Sequence, residues 1–179
     1  MSETTSGYNR IERANHWIVA ITILSLRLVG WILYLEALPE DAEKRLRDLH
    51  KAFGTVILAF GIWRVGYRLV RGFPAPASVM ELWQTLLSQI VHYLLLAFIV
   101  IMPASGFFKS YFAGRPIDMF GLFTIGSPDY KNDALAGLAS DAHFFAGLAI
   151  TAILLLHIAA SIKHHFLDRD ATLLRMLPG

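Results

Sequence analysis

An uncharged run between Asp141 and Lys163 is the feature that most constrains this chain, and it carries His143 and His157. An apolar segment of about 20 residues crosses the hydrocarbon core of a bilayer as a single α-helix. The two histidines are 14 positions apart, so on a helix they share nearly the same face and lie about 21 Å apart along the axis. The run therefore predicts a membrane-spanning helix that offers one histidine near each membrane surface.

Three further apolar runs precede this one in a chain that is 55% hydrophobic and 17% charged, a balance too apolar for an ordinary soluble domain. Two of the connections between the runs are short, which predicts an all-α, integral membrane four-helix bundle in up-down-up-down order. We expect a single domain over residues 1–179, with helices over about 12–38, 44–71, 80–110 and 137–167 and an outer flap over about 111–136.

Local signals add detail to this bundle. Pro103 and Gly106 predict a kink or local opening in the second half of the third helix. The segment from Gly72 to Ala77 is a proline-rich turn that cannot stay helical. Asp170 is expected to be the N-cap of a last short helix.

Composition also narrows the chemistry. The chain has no cysteine, which excludes disulfides and cysteine-ligated iron–sulfur clusters. Its seven histidines are therefore the main source of metal ligands. The net charge is only +2 and the basic residues are spread along the loops, so no nucleic-acid-binding surface is expected.

The basic residues near the helix ends set the expected orientation, with both termini in the cytoplasm. We expect no cleavable signal peptide, since the first apolar run is long and begins with a histidine. The residues assigned to the cytoplasmic side are Arg10, Arg13, Arg64, Arg68, Arg71, Lys163, Arg169 and Arg175. Those assigned to the outer side are Lys44, Arg45, Arg47, Lys51, Lys109, Arg115 and Lys131.

This topology places four histidines in two pairs of equal depth. His16 begins the first helix and matches His157 near the cytoplasmic side, whereas His50 begins the second helix and matches His143 near the outer side. Each pair can hold one haem iron from opposite faces, which fills both axial positions and leaves a haem that shuttles single electrons. The same four histidines could also bind no metal. In that alternative, the protein is a membrane scaffold without a cofactor.

Glycines near two of these histidines fit the same arrangement. Gly54 and Gly147 each follow a histidine of the outer pair by one turn, and Gly61 lies two turns beyond Gly54. Missing side chains at these positions would make room for a flat macrocycle. Glycines in membrane bundles also serve simple helix packing, and that alternative stays open.

The remaining histidines and cations have alternative roles. His92 is either structural or part of a quinone pocket, and His164 faces either lipid headgroups or a quinone. Arg64 and Arg68 reflect the positive-inside bias or contact a haem propionate, and Lys51 guides a substrate or binds a propionate.

Arg27 lies within the first apolar run, where a charge is costly unless it is paired. It can pair with Glu36, contact a haem propionate, or extend to the membrane surface.

The chain resembles the bacterial cytochrome b561 family of dihaem membrane proteins over nearly its whole length. The histidine set and the tail are specific in combination, whereas each short motif alone is weak. The matching motifs are His16-Trp17, Leu49-His50-Lys51, His92-Tyr93-Leu94-Leu95, Gly114-Arg115-Pro116-Ile117 with Phe120-Gly121, His143, His157, Lys163-His164-His165-Phe166 and Thr172-Leu173-Leu174-Arg175-Met176.

The resemblance implies four membrane-spanning helices and two haem b groups in the bacterial inner membrane. It implies the axial ligands His16 and His157 for one haem, and His50 and His143 for the other. At least one family member is understood to oxidise superoxide and to pass the electrons to ubiquinone. Arg27 departs from the family pattern.

Two functions follow as expectations, both for a protein embedded in membrane lipid. The first is a superoxide:ubiquinone oxidoreductase, and the second is a non-catalytic electron-transfer subunit that docks a soluble redox donor on the flap, around residues 119–130. A homo-oligomer is compatible with either. A positive funnel for superoxide would use Lys44, Arg45, Arg47, Lys51, Lys109 and Arg115, although Glu40, Asp41, Glu43 and Asp48 crowd the same loop.

Overall fold

Four long helices dominate the computed structural model, which describes residues 8–74, 78 and 80–177. All four are long and apolar enough to cross a membrane, so the predicted all-α membrane bundle is confirmed. The elements in chain order are α1 (Arg10–Tyr34), α2 (Glu40–Arg71), α3 (Leu82–Phe112), β1 (Ile117–Met119), β2 (Phe123–Ile125), α4 (Asp133–Phe166) and a short 3-10 helix (Leu174–Met176).

Contacts between helix ends establish the up-down-up-down order. Arg64, near the end of α2, donates a hydrogen bond to Asn15 at the start of α1. Gly106, near the end of α3, lies against His143 at the start of α4. The Trp17 indole donates to the carbonyl of Met176 over 2.7 Å, so both ends of the described chain lie at one end of the bundle. We call this the terminal end, and the opposite end the hairpin end.

Capping residues, rather than the apolar runs, set the helix boundaries. Asn9 and Glu12 form a capping box, so α1 begins at Arg10. Pro39 precedes the acidic first turn of α2, which therefore begins at Glu40, before the apolar residues. The side chain of Asn132 accepts from the backbone N–H of Leu135 over 3.0 Å, and α4 begins earlier than predicted. Residues 75–77 of the predicted proline-rich turn lie outside the described residues.

The helix α3 continues through Pro103 without ending. Because proline has no N–H, the carbonyl of Ile99 lacks its usual donor within the helix. Gly61 of α2 packs directly on this carbonyl, and a Cβ added to Gly61 would lie 2.7 Å from its oxygen. The prediction that Gly61 extends a groove for a macrocycle is therefore wrong, because Gly61 brings α2 close to α3. Val19, Ile57 and Ile99 form a buried cluster around this contact.

The predicted flap contains an antiparallel hairpin in which Ile117 pairs with Ile125 and Met119 with Phe123. Ile117 and Met119 are buried against Ala52 of α2. The hairpin therefore lies on α2 two residues from His50, at the hairpin end of the bundle.

The tail after α4 turns back towards α1. Asp170 accepts the backbone N–H of Thr172 over 2.8 Å. The cap position of the 3-10 helix is occupied by Leu173, without a side-chain hydrogen bond. The prediction that Asp170 is the N-cap of this last helix is therefore wrong, because its carboxylate closes the turn before the helix.

Candidate functional site

Two pairs of histidines face each other across the bundle. At the hairpin end, the ring centres of His50 and His143 are 6.3 Å apart and their planes are 89° apart. At the terminal end, the ring centres of His16 and His157 are 6.4 Å apart, at 56°. All four rings are half-buried. We call them the hairpin-end pair and the terminal-end pair.

These separations fit a metal ion held between two imidazoles. A ring nitrogen binds a metal ion at about 2.0–2.1 Å and lies roughly 1.1 Å from its own ring centre, as bonds near 1.33 Å require. Two rings in line with one ion therefore have centres about 6.3 Å apart. The ring centres of both histidine pairs have this separation.

The second nitrogen of His143 already has a partner. Its Nδ1 lies 3.0 Å from the carbonyl oxygen of Met102, and a carbonyl only accepts, so Nδ1 carries the proton. Ser105 donates to the same carbonyl over 2.7 Å. Nε2 of His143 is thereby left with a lone pair, which is the usual arrangement of a metal-binding histidine. Ser105 was not singled out from the sequence, because a serine in an apolar run gives no signal of its own.

His50 differs, because its Nδ1 is buried and has no hydrogen-bond partner among the described residues. One turn further along α2, a Cβ added to Gly54 would meet nothing within 4 Å. A buried polar atom without a partner is costly in an apolar bundle unless a bound group satisfies it. The residues of the hairpin-end pair therefore fit a haem b group.

The space beside Gly147 is filled by a side chain of the protein. A Cβ added to Gly147 would lie 2.7 Å from Nη1 of Arg27. Arg27 donates from Nε to the hydroxyl of Thr151 over 3.1 Å, and its guanidinium lies 5.6 Å from the ring centre of Trp31. The arginine thus occupies the room beside Gly147 in this structure, and the role of Gly147 beside a macrocycle stays a prediction. Pairing with Glu36 is wrong, because no carboxylate of the described residues lies within 4.0 Å of Arg27.

His92 lies beside the terminal-end pair. This position agrees with its place along α3, although the sequence alone predicted no partner for it. Its ring centre is 5.7 Å from that of His157, at 75°, and 5.7 Å from that of Phe73. The first distance is shorter than an intervening metal ion requires, so His92 contacts His157 edge to face. Its Nδ1 is 3.4 Å from the hydroxyl of Ser88.

Arg64 and Arg68, near the end of α2, have different surroundings. Arg64 donates to the side chain of Asn15, which is buried and precedes His16 in the chain. Arg68 is buried, donates to the carbonyl of Gly72 over 2.8 Å and lies 3.7 Å from the carboxylate of Glu12. Arg68 therefore closes the end of α2, whereas Arg64 stays next to the terminal-end pair. Asn15 was missed from the sequence.

Lys51, next to His50, is engaged on two sides. Its Nζ lies 2.8 Å from Asp48 and donates to the carbonyl of Pro116 over 3.3 Å. It thus ties α2 to the segment that leads into the hairpin.

A cleft of about 610 Å³ opens at the terminal end. His164 lies in its wall and donates from Nδ1 to Asp170 over 2.8 Å, and Ser78 donates to the same carboxylate over 2.8 Å. Burial alone would raise the pKa of Asp170, but hydrogen bonds from Thr172, Ser78 and His164 bring this pKa below its ordinary value. Asp170 is therefore ionised at neutral pH. The lining residues are Ser78, Met80, Glu81, Leu82, Gln84, Lys163, His164, Asp168 and Asp170.

Comparison with known proteins extends over both pairs and the tail. Residues 7–179 match the family described as prokaryotic cytochrome b561. Cytochrome b561 homolog 2 of Escherichia coli K12 is 27% identical over 176 residues, which cover 98% of this chain and 94% of that protein. Cytochrome b561 homolog 1 of the same organism is 24% identical, covering 91% and 92%. The probable superoxide oxidase CybB of Yersinia pestis is also 24% identical, covering 96% of each chain.

Proposed function

This chain belongs to the prokaryotic cytochrome b561 family of membrane electron-transfer proteins, and we propose that it is a dihaem superoxide:ubiquinone oxidoreductase of the bacterial inner membrane. The observation that carries the proposal is the pair of matched histidine separations, 6.3 and 6.4 Å, with His143 and His157 on one helix. Haem b groups bound there would supply one-electron transfer. The terminal end faces the cytoplasm in this proposal.

The reaction balances for two superoxide ions and one ubiquinone. Each superoxide ion gives up one electron and becomes molecular oxygen. The quinone takes up both electrons together with two protons and becomes ubiquinol. The protein must therefore attract an anion at the outer side and deliver protons at the inner side.

Cations at the hairpin end support the first requirement. Four of the six predicted funnel residues have no carboxylate within 4.0 Å among the described residues. These are Lys44, Arg45, Lys109 and Arg115. Arg47 and Lys51 are each paired with an acidic neighbour of α2, so the attraction of an anion rests on the other four. The name of the Yersinia relative points to the same substrate.

The cleft at the terminal end supports the second requirement. His164 follows His157 by about two turns of α4, or about 10 Å along the axis, and it faces the cleft. Its hydrogen bond to the ionised Asp170 fixes the orientation of the ring. We place the quinone headgroup in this cleft, with His164 as the group that supplies a proton to a quinone oxygen.

An optical spectrum of the purified protein in detergent, followed by a superoxide pulse, tests the function. We expect two b-type haems per chain that are reduced by the pulse and reoxidised on addition of a short-chain ubiquinone. The rate of reduction should fall as salt is raised, since the four unpaired cations attract an anion. A spectrum without haem would overturn the proposal. Two haems that are not reduced by superoxide would show that superoxide is not the electron donor.

Asp170→Asn provides a separate test of the quinone end. We expect the variant to be reduced by superoxide at the normal rate, while reoxidation by quinone slows about ten-fold or more, because the carboxylate that orients the His164 ring is lost. Asp129→Asn, an exposed site in the outer connection, is the matched control. Unchanged reoxidation in Asp170→Asn would show that quinone is reduced elsewhere.

An electron-transfer subunit without catalysis of its own is the second candidate, and the hairpin end favours it. Leu122, Phe123 and Tyr130 are 81%, 60% and 72% exposed there, which suits docking of a soluble redox protein. Copurification of a periplasmic redox protein, with no superoxide-dependent reduction, would establish this candidate in place of the first.

A further inference from the structure

Arg27 is a charged group within α1 that the function described above does not use. It lies within the membrane-spanning part of α1 and is half-buried. A charge at this depth is costly, and such residues usually mark a functional site. Among the described residues it contacts the Thr151 hydroxyl and the Trp31 ring, which are uncharged, so the guanidinium keeps its full positive charge in an apolar surrounding.

The contacts of Arg27 locate its charge along the bundle. Gly147 and Thr151, which it touches on α4, lie about 6 and 12 Å from His143 along the helix axis and on the side towards His157. The charge therefore lies between the two histidine pairs.

The charge also lies close to the hairpin-end pair. A point beside Gly30, where a Cβ would be, is 3.7 Å from Cε1 of His50 and 3.9 Å from Nη1 of Arg27. The arginine and a proposed iron ligand are thus near neighbours. In an apolar surrounding, the charge of Arg27 and a charge gained by a group bound to His50 would interact far more strongly than in water.

The position of this charge has a consequence for electron transfer. Adding an electron to a redox centre adds a negative charge, which a nearby fixed cation stabilises. We propose that Arg27 tunes the reduction potential of the haem at the hairpin-end pair upwards, so that this haem accepts an electron from the outer donor more readily. The inference rests on the proposed function, because it requires the haem to be present.

Three neighbours maintain the arrangement. Thr151 accepts from Nε of Arg27 and donates to the carbonyl of Gly147 over 2.8 Å, so its hydroxyl is fixed in orientation. Gly147 leaves the space that the guanidinium occupies. Trp31 covers the guanidinium from its own helix.

Redox titration of the full-length dihaem protein tests the inference. We expect Arg27→Gln to make reduction of one haem at least ten-fold less favourable, which lowers its reduction potential by about 59 mV or more for one electron. The potential of the other haem should change less. Arg27→Lys should restore most of the shift, because it keeps the charge. Repeating Arg27→Gln in the His16→Ala background, which retains the hairpin-end pair, assigns the affected haem.

Two controls separate tuning from packing. Lys131→Gln removes an exposed cation of the hairpin end that belongs to no proposed site and should leave both potentials unchanged. Thr151→Val removes the hydroxyl that accepts the hydrogen bond of Arg27 but keeps the positive charge of Arg27. It should shift the reduction potential in the same direction as Arg27→Gln, by a smaller amount. It also keeps the inference testable if Arg27→Gln does not fold.

The outcomes distinguish this inference from the function on which it rests. A wild-type protein with fewer than two haems would overturn the proposed function, and with it this inference. Two haems with unchanged potentials in Arg27→Gln, even with a lower melting temperature, would overturn the tuning role alone and leave Arg27 as a packing residue.

Discussion

Replacement of His157 by alanine should leave a protein that folds in the membrane but carries one haem instead of the two proposed for the wild type. The reason is that the rings of His157 and His16 are 6.4 Å apart, the separation expected of two imidazoles that share one iron, so the variant loses one of the two protein bonds proposed to hold that haem. His143→Ala should remove the other haem, and the double variant should lose both. Haem content per chain and the spectrum of the reduced protein measure the effect.

His92→Ala is the matched control for this set. His92 lies at the depth of the terminal-end pair and touches His157, but its ring is 5.7 Å from that of His157, too close for an ion between them. We expect the variant to retain both haems. If His92→Ala lost a haem and His16→Ala kept both, His92 and not His16 would be the ligand that pairs with His157.

Gly106→Val should disrupt the hairpin-end pair, because residue 106 lies against the ring of His143. A Cβ at residue 106 would lie 2.8 Å from Cε1 and 2.9 Å from Nδ1 of His143, so the ring must leave the carbonyl of Met102 that orients it. Losing such an orienting contact typically weakens metal binding by about 10- to 100-fold. Titration of the apoprotein with haem should show weaker binding at one of the two sites.

Two other glycines serve as comparisons. Gly137→Ala, on an exposed part of α4 with nothing within 4 Å of the new methyl group, should bind both haems normally and gain up to about 1 kcal/mol of helix stability. Gly54→Ala should be equally harmless to the apoprotein but should weaken haem binding, if a macrocycle fills the open space there. Normal haem binding in Gly106→Val would show that the ring position of His143 is not critical.

The membrane spans and the depth of each histidine follow from the sequence, because both depend only on distance along a helix. A residue advances 1.5 Å per position, and the bilayer fixes where each helix starts and stops. The pairing of His16 with His157 and of His50 with His143 was predicted on that basis, and the structure brings the members of each pair together. The assignment of these residues as haem ligands stays a prediction.

Lateral contacts between helices were decided only in the tertiary structure. Gly61 lies against Ile99 instead of lining a groove, and His92 lies against His157. The guanidinium of Arg27 fills the space beside Gly147. The physical reason is that the rotation of a helix about its axis, and the separation of two axes, depend on side chains from several helices at once. A periodic sequence pattern gives the depth of a residue in a membrane bundle, but the residue it faces depends on packing by the whole set of helices.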